Sequence, residues 1–320
     1  MKKFFLFGLV MTLVCNLSCV EEQVKVSGGI GPDNGLKEAY RDLSMSLDAL
    51  NNKYVPGVRG VDWKTSSLVL STVSMDVTGW RYGRKAGAII GGFAGGFGGI
   101  VPGYYIGGLL GGAASSAIVY LGGKDYVVPN DVYSTVVSLG VQDGMLNSAE
   151  LDSIGYYHNL MVNRIYAERD KYLHQGLPVN YAKVIGDVNE MCNSFGLCDE
   201  YLTPGETQNM VDFNVELDSV NQLYLSEKIG EDSLFAASAE VLGTYVRLDE
   251  NDYYGMSLLD SKIIPVCAAM YPSQVPHYFK DFKDIVNGSH LPNVIKSDLI
   301  VTGMFVANSA QCASVKVPLP

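Results

Sequence analysis

The sequence predicts a mainly α-helical protein, in which a glycine-zipper helical hairpin is joined to a helical C-terminal domain. Apolar residues recur three or four positions apart over most of the chain, which is the period of an amphipathic helix. No charged residue occurs between Lys85 and Lys124. Across the same stretch glycine recurs at every fourth position: Gly79, Gly83, Gly87, Gly91, Gly95, Gly99, Gly103, Gly107 and Gly111.

Residues 1–18 have the composition of a secretory signal peptide. Lys2 and Lys3 precede an apolar run, residues 4–14, that is too short to span a membrane. Cys19 then follows a small residue, Ser18. This ending resembles the lipobox of bacterial lipoproteins, which implies that Cys19 is lipidated and becomes the first mature residue. The alternative is an ordinary cleaved signal that happens to end near a cysteine.

The segment after the cysteine, residues 19–34, is predicted to be a flexible tether, because Gly28, Gly29 and Pro32 disfavour regular structure. Its acidic pair, Glu21 and Glu22, resembles the surface-export signal of Bacteroidota-type lipoproteins. The resemblance implies an exported protein on the outer membrane or cell surface of a bacterium.

Residues 35–78 are predicted to form N-terminal helices. The first helix has an apolar stripe that ends before Pro56 and Gly57, and Asp62 is a candidate N-cap for the second. Asp76 lies just before the glycine repeat, and we expect it to be a solvated or paired acid. The stripe consists of Leu36, Tyr40, Leu43, Leu47 and Leu50.

The glycine repeat, residues 79–121, is predicted to be a helical hairpin with a glycine-lined seam. Nine glycines inside helices would cost about 9 kcal/mol relative to alanine, so a compensating interaction is required. Residues four apart share a helical face, and a face of glycines lets another backbone approach closely. Pro102 is expected to divide the stretch into two arms, residues 86–101 and 104–121, with Tyr104 and Tyr105 near the tip.

Three interpretations of this hairpin stay open at the level of sequence. Its arms are close to the length that spans a bilayer, so it could insert in a membrane or self-associate there. It could instead be packed at the centre of a soluble helical domain. A flexible glycine-rich loop is the third interpretation, although a loop requires neither the four-residue period nor the many Ile and Phe residues.

Residues 126–320 are predicted to form a helical C-terminal domain, long enough to bury its own core. Within it, the series Asp152, Gly155, His158 and Asn159 is similar to one found in uncharacterised exported proteins of Bacteroidota, some with Gly/Ala-rich hairpins. That resemblance brings no known activity. His158 and Asn159 are possible binding residues, and the competing interpretation is that both pack inside the domain.

Four cysteines follow Cys19, and an exported chain permits disulfides. Three pairings are possible, of which we favour Cys192–Cys198 together with Cys267–Cys312. A zinc site is the alternative, although five residues between Cys192 and Cys198 fit zinc-ligand spacing poorly. We therefore predict no metal site.

No catalytic or cofactor-binding motif is recognisable, so we predict a protein that is not an enzyme and uses no cofactor. Loss of Lys2 and Lys3 with the signal peptide leaves 21 basic against 34 acidic residues, a net charge of −13. This acidity argues against binding nucleic acid. An acidic turn at residues 249–252 is expected to be exposed rather than a calcium loop, because Tyr254 occupies the position of the required glycine.

Two functional hypotheses follow. In the first, a non-catalytic surface lipoprotein inserts its hairpin into a membrane or self-associates there, and toxin-like pore formation is its sharper version. In the second, the hairpin is a soluble core and the helical domain binds an unknown protein partner. Homo-oligomers are possible in either case.

Overall fold

The chain is mainly α-helical, which confirms the predicted fold class. The structure, a computed structural model, falls into two compact units, Met1–Ala39 and Tyr40–Pro320, and all contacts discussed below lie within the second. The predicted signal peptide and the tether up to residue 33, including Cys19, lie outside the described residues, and Asn34 begins the first helix. Those described are residues 34–55, 63–95, 97–122, 127–129, 137, 148–173, 178–197 and 202–315.

Eleven helices and one pair of short strands make up the described part of the chain. The strands pair antiparallel, with Val128 opposite Ser314. The elements are α1 (Asn34–Tyr54), α2 (Trp63–Gly95), α3 (Phe97–Gly122), β1 (Val127–Pro129), α4 (Ser148–Ala167), α5 (Tyr181–Ser194), α6 (Pro204–Leu225), α7 (Glu231–Tyr245), α8 (Glu250–Leu258), α9 (Ile264–Ala269), α10 (Val275–Gly288), α11 (Asn293–Cys312) and β2 (Ala313–Val315), with short 3₁₀ or π turns at Arg169–Lys171, Leu259–Ile263 and Pro272–Gln274.

Polar caps fix the starts of several C-terminal helices. Asn180 accepts a hydrogen bond from the backbone of Lys183 at the start of α5, and Thr203 forms a reciprocal capping box with Glu206 at α6. Asp249 caps α8 in the same way with Asp252. The acidic turn that could suggest a calcium loop therefore begins a helix.

Helices α2 and α3 form the centre of the second unit and pack against each other along most of their length. Helices α4, α5, α6, α7, α9 and α11, which we call the shell helices, pack around this pair. One helical stretch, Gly103–Gly122 in α3, is long and apolar enough to cross a membrane, and 89% of its most apolar window is buried. The most apolar helix is thus the core of the fold.

The hairpin turns earlier than the sequence suggested. Helix α2 runs unbroken to Gly95 and α3 starts at Phe97, so Pro102 lies within α3 instead of at the tip. The seam sets this register: Gly79 meets Ser115 and Gly87 meets Gly107, and both pairs have residue 97 as their midpoint.

The expected position of the tyrosines at the tip is wrong for the same reason. Tyr105 is buried, and Tyr104 donates a hydrogen bond to Asp298 of α11 at 3.0 Å. The hairpin arms also differ from the predicted ones. The charge-free part of α2 is only the ten residues from Ala86 to Gly95, whereas α3 is apolar over its full length.

Candidate functional site

The α2–α3 seam is built from backbone meeting backbone. A Cβ atom added to Gly83 would collide with the carbonyl of Gly107, and one added to Gly107 would collide with the carbonyl of Gly83 and lie 2.7 Å from Cα of Gly87. Gly79 is equally close to Gly111. Side chains cannot be accommodated at these positions, which is the physical reason for the four-residue glycine period.

Six of the nine predicted seam glycines therefore meet across the hairpin: Gly79, Gly83, Gly87, Gly103, Gly107 and Gly111. Ser115 continues the series, because its side chain faces Gly79. Gly91 and Gly95 lie near the end of α2, and Gly99 lies near the start of α3. Both sides of the seam come from one chain, so the glycine faces are already occupied within the monomer.

Buried hydrogen bonds join the hairpin to the shell helices. Ser71 of α2 donates to Asn221 of α6, and Ser115 of α3 donates to Asn214 of α6 at 2.7 Å. Asn214 and Asn221 are fully buried. Because an unpaired buried polar group costs about 1–3 kcal/mol, these bonds fix the hairpin in one arrangement inside the shell.

An aromatic contact joins the opposite side of the hairpin to α11. Phe305 stacks on Trp80 with ring centroids 4.5 Å apart, and its edge meets the ring of His158 at 4.8 Å. Gly112 lies against Phe305 so closely that an added Cβ would be 3.2 Å from Cε1 and nearer still to Cζ. Phe305 thus fills the space beside Gly112 on α3.

A polar cluster is buried where α2, α4 and α11 meet. Asp76 of α2 and His158 of α4 are both fully buried, and Nε2 of the imidazole lies 3.6 Å from Oδ2 of the carboxyl. Ser309 of α11 donates a hydrogen bond to the same Oδ2 atom. Nδ1 of His158 lies 2.8 Å from Oδ1 of the neighbouring Asn159.

Burial perturbs both titratable groups in opposite directions. It raises the pKa of Asp76 to about 8, and the hydroxyls of Ser309 and Ser116 only partly offset this. Burial lowers the pKa of His158 to about 4, against smaller opposite contributions from its contacts with Asn159 and with the backbone of Gly112. Both shifts favour neutral side chains, as expected where water is excluded and no cation of the described part of the chain compensates a carboxylate.

The predicted binding residues are therefore inside the core. His158 and Asn159 have no exposed surface, so no ligand in solvent can reach them in this conformation. Asp76 is paired as expected but is not solvated. Gly155, one turn before His158, lies against the side chain of Asn308 on α11, with an added Cβ 2.5 Å from Nδ2. The motif around His158 is thus the packing surface of α4 against α11.

Three cations of α2 are paired with acids on the C-terminal helices. Lys85 lies 2.7 Å from Asp252, and Arg81 lies 3.6 Å from Asp260. Arg84 binds Asp298, donates to Thr302 at 2.9 Å, and lies 3.9 Å from the ring centroid of Tyr104. Burial raises the pKa of Asp260 to about 6, although Arg81 opposes the shift. These contacts hold the base of the hairpin inside the shell.

The predicted Cys267–Cys312 disulfide is wrong: the structure describes both residues, and each has a buried thiol outside any disulfide. The two cysteines belong to different parts of the core. Cys312 packs with Tyr120 and Val162, whereas Cys267 faces Tyr278. The buried Cys192 is also outside any disulfide with a described residue, and its predicted partner Cys198 lies outside the described part of the chain.

One open groove lies between α4 and α5, with a volume of about 630 Å³. Its charged residues include two pairs, Lys171 with Glu168 at 2.5 Å and Lys183 with Asp187 at 3.4 Å. The groove is lined by Arg164, Ile165, Glu168, Lys171, Tyr172, Lys183, Asp187, Glu190, Met191, Asn193 and Ser194. It offers a mixed-charge surface one to two turns along α4 from His158.

Comparison of the chain with protein-family models, curated proteins and solved structures finds no match. Among the described residues, no group of three or more His, Cys, Asp or Glu side chains could hold a metal ion. The residues of the buried cluster have no access to solvent, so they contribute to the packing of α2, α4 and α11 against one another.

Sequence reasoning identified His158 and Asn159 but missed what they contact. Asp76 and Ser309 are separated by 233 positions, and neither lies in a motif. One signal was present: Val69, Val73 and Trp80 occupy the same helical side as Asp76, which places this acid on an apolar face. An acid on such a face requires a buried partner.

Proposed function

We propose that this chain is an exported, lipid-anchored surface protein without catalytic activity, which keeps its glycine hairpin as a buried core and binds a partner through its helical surface. The anchor is a lipid on Cys19, inferred from the resemblance of residues 1–19 to a lipoprotein signal. The α4–α5 groove is the concave surface available for a partner. No cofactor is required in this proposal.

The observation that carries the proposal is the burial of α3. Within Gly103–Gly122, 89% of the most apolar window is covered by the rest of the chain. Buried side-chain hydrogen bonds, such as that of Ser115 with Asn214, add directional contacts to this burial. Fixed polar partners inside the protein stabilise the buried position of α3, and they would oppose the release of this helix into a bilayer.

The length of the first arm supports the same conclusion. The ten charge-free residues from Ala86 to Gly95 would extend about 15 Å as a helix, about half of a bilayer core. Spanning the membrane as a hairpin would draw Arg81, Arg84 and Lys85 into lipid. Each such charge costs about 2.5–3.5 kcal/mol at the centre of a membrane-inserted helix.

Membrane insertion is the second candidate function, because α3 itself satisfies the length and composition of a membrane-spanning helix. In this version the shell opens, α3 enters a bilayer, and self-association or toxin-like pore formation follows. The seam would then have to separate or carry α2 with it. The two candidates make opposite predictions for the chain without its lipid.

The test is flotation with vesicles of phosphatidylcholine and phosphatidylglycerol. We expect the chain purified from an exporting bacterium to float, because its Cys19 lipid enters the bilayer, and the Cys19→Ser variant to stay in solution as a monomer. Protease digestion of the floated wild type should give the same fragments as digestion of the Cys19→Ser variant without vesicles, because the fold and not the bilayer protects residues 86–121. Dye leakage from the vesicles is measured in parallel.

Flotation of Cys19→Ser with a protected hairpin fragment would contradict the core-hairpin proposal and establish membrane insertion, and dye leakage would then indicate a pore. If neither form floats, the lipid anchor is wrong while the buried hairpin stands. A Ser18→Leu variant is a matched control, since it disturbs lipidation without removing the cysteine.

A further inference from the structure

The junction of α2, α4 and α11 contains an acid and a base, and no other charged side chain among the described residues lies against them. Asp76 and His158 are each completely buried. The other groups close to Asp76 are Ser309, Ser116, Tyr120 and, beside Tyr120, Cys312. None of these is a cation, and burial keeps the pKa of the Tyr120 phenol well above its usual value.

The hydrogen bonds of His158 define which ring nitrogen carries hydrogen. The Asn159 amide is oriented with Nδ2 toward the carbonyl of Asn308, 3.4 Å away, so its Oδ1 faces Nδ1 of His158. An amide oxygen only accepts, which places the hydrogen on Nδ1. In the neutral ring Nε2 then carries no hydrogen and makes no hydrogen bond to a described residue, and the carboxyl of Asp76 lies 3.6 Å from it. The backbone of Gly112 on α3 also lies against the imidazole.

A carboxyl without a proton could not satisfy this arrangement. Two acceptors, Oδ2 of Asp76 and Nε2 of His158, would face each other at 3.6 Å in a site without water access. One proton removes the conflict, because either a carboxylic acid faces a neutral imidazole or a carboxylate faces an imidazolium. In both forms the two side chains together hold one titratable proton, so this proton is assigned to the pair and not to either residue.

We propose that one proton shared by Asp76 and His158 fastens the glycine hairpin to helices α4 and α11, and that its loss in alkaline solution loosens this junction. Ser309 donates a hydrogen bond to the same carboxyl oxygen of Asp76. We call the arrangement of Asp76, His158 and Ser309 the lock. The single proton therefore links residues of α2, α4 and α11. The free energy of unfolding of the core then depends on the pH of the solution around the protein.

The sign of the dependence follows from counting protons. In the opened chain His158 releases its proton near its ordinary pKa of 6.5, and Asp76 is already ionised. The closed pair keeps its proton until about pH 8, the raised pKa of Asp76. Between these values the closed state holds one proton more, so stability falls as pH rises. Below pH 6.5 both states hold one proton and the dependence vanishes.

The test is urea unfolding of the full chain at a series of pH values from 6 to 9. We expect the unfolding constant of the wild type to rise about tenfold per pH unit between about 6.5 and 8, and then to level off. Asp76→Asn keeps an acceptor for Ser309 and supplies a permanent donor to His158, so this rise should disappear. Asp212→Asn, at an exposed acid on α6, should keep it.

His158→Gln tests whether the proton is shared, through the pH at which the rise ends. The onset of the rise is set by the unfolded chain in either case, whereas its end is set by the proton affinity of the closed Asp76 site. If the imidazole shares the proton, its loss moves the end of the rise to lower pH, and an unchanged end near pH 8 would show that the proton is not shared. A wild-type curve that is flat from pH 6.5 to 8, or an unchanged rise in Asp76→Asn, would overturn the lock.

Infrared spectroscopy provides a measurement that needs no unfolding and covers variants that fold poorly. A protonated carboxyl band in the wild type at pH 6.5, absent from Asp76→Asn and lost by pH 9, supports the acid–neutral imidazole form of the lock. For an imidazolium with a carboxylate, nitrogen NMR of His158 shows both ring nitrogens protonated at pH 6.5. Finding neither form would overturn the proposal.

Discussion

Gly107→Ala is expected to destabilise the protein by about 2 kcal/mol or more, although alanine is the better helix former. The added methyl group would collide with the carbonyl of Gly83 and lie 2.7 Å from Cα of Gly87. Because these atoms belong to a backbone, no side chain can rotate away, and α2 and α3 must separate along the seam. Overpacking of this kind costs about 1–3 kcal/mol or more, which outweighs a propensity gain of about 1 kcal/mol.

Gly186→Ala is the matched control for this substitution. Gly186 also lies inside a helix, α5, but an added Cβ there would meet nothing within 4 Å. We expect it to stabilise the protein by up to about 1 kcal/mol through propensity alone. Urea unfolding of both variants measures the difference. A Gly107→Ala protein as stable as Gly186→Ala would show that the seam is not closely packed.

Phe305→Ala is expected to reduce the free energy of unfolding by about 3–5 kcal/mol, the usual cost of emptying a large aromatic site. Phe305 is fully buried and loses its stacking on Trp80 and its edge contact with His158. Val294→Ala on the same helix should change stability by less than about 0.5 kcal/mol, since Val294 is 61% exposed. Thermal and urea unfolding, followed by circular dichroism, compare the two.

A substitution at Gly112 tests whether Phe305 stabilises the protein through its contact with α3. Gly112→Ala alone should be destabilising, because its methyl group would press on the ring of Phe305. In the Phe305→Ala background the same methyl group enters the vacated space, so the double variant should be more stable than the sum of the two losses predicts. Simple additivity would contradict the contact between α3 and α11.

The helices themselves could be predicted from the sequence because their signals are local. The apolar stripe of α1, the asparagine that caps α5 and the Thr203-Pro204 start of α6 each lie within a few residues of the element that they define. The helix boundaries within the hairpin were predicted less accurately, because α2 continues to Gly95 and α3 begins at Phe97.

The hairpin turn could not be located from local signals, because Pro102 is the strongest helix breaker in the stretch. The turn position depends on which glycines meet, and that register is a property of two helices together. Either a turn at residue 97 or one at residue 102 keeps the four-residue period. Only contacts such as Gly83 with Gly107 distinguish them.

The buried cluster was only partly predictable for a related reason. His158 and Asn159 stood out as residue types, but their partners Asp76 and Ser309 lie far away along the chain. The cations of α2 likewise pair with acids more than 160 positions later, as Lys85 does with Asp252. Sequence spacing carries no information about such pairs.

The measurement that tests the central claim most directly is hydrogen–deuterium exchange of the peptides that cover Gly103–Gly122, in the Cys19→Ser chain with and without phosphatidylcholine–phosphatidylglycerol vesicles. If α3 is the permanent core, these amides exchange among the slowest in the protein, and the shell peptides of α6 and α11 exchange equally with or without vesicles. Vesicle-dependent exposure of α6 and α11, with α3 still protected, would mean that the hairpin has left the shell for the bilayer and would contradict the account.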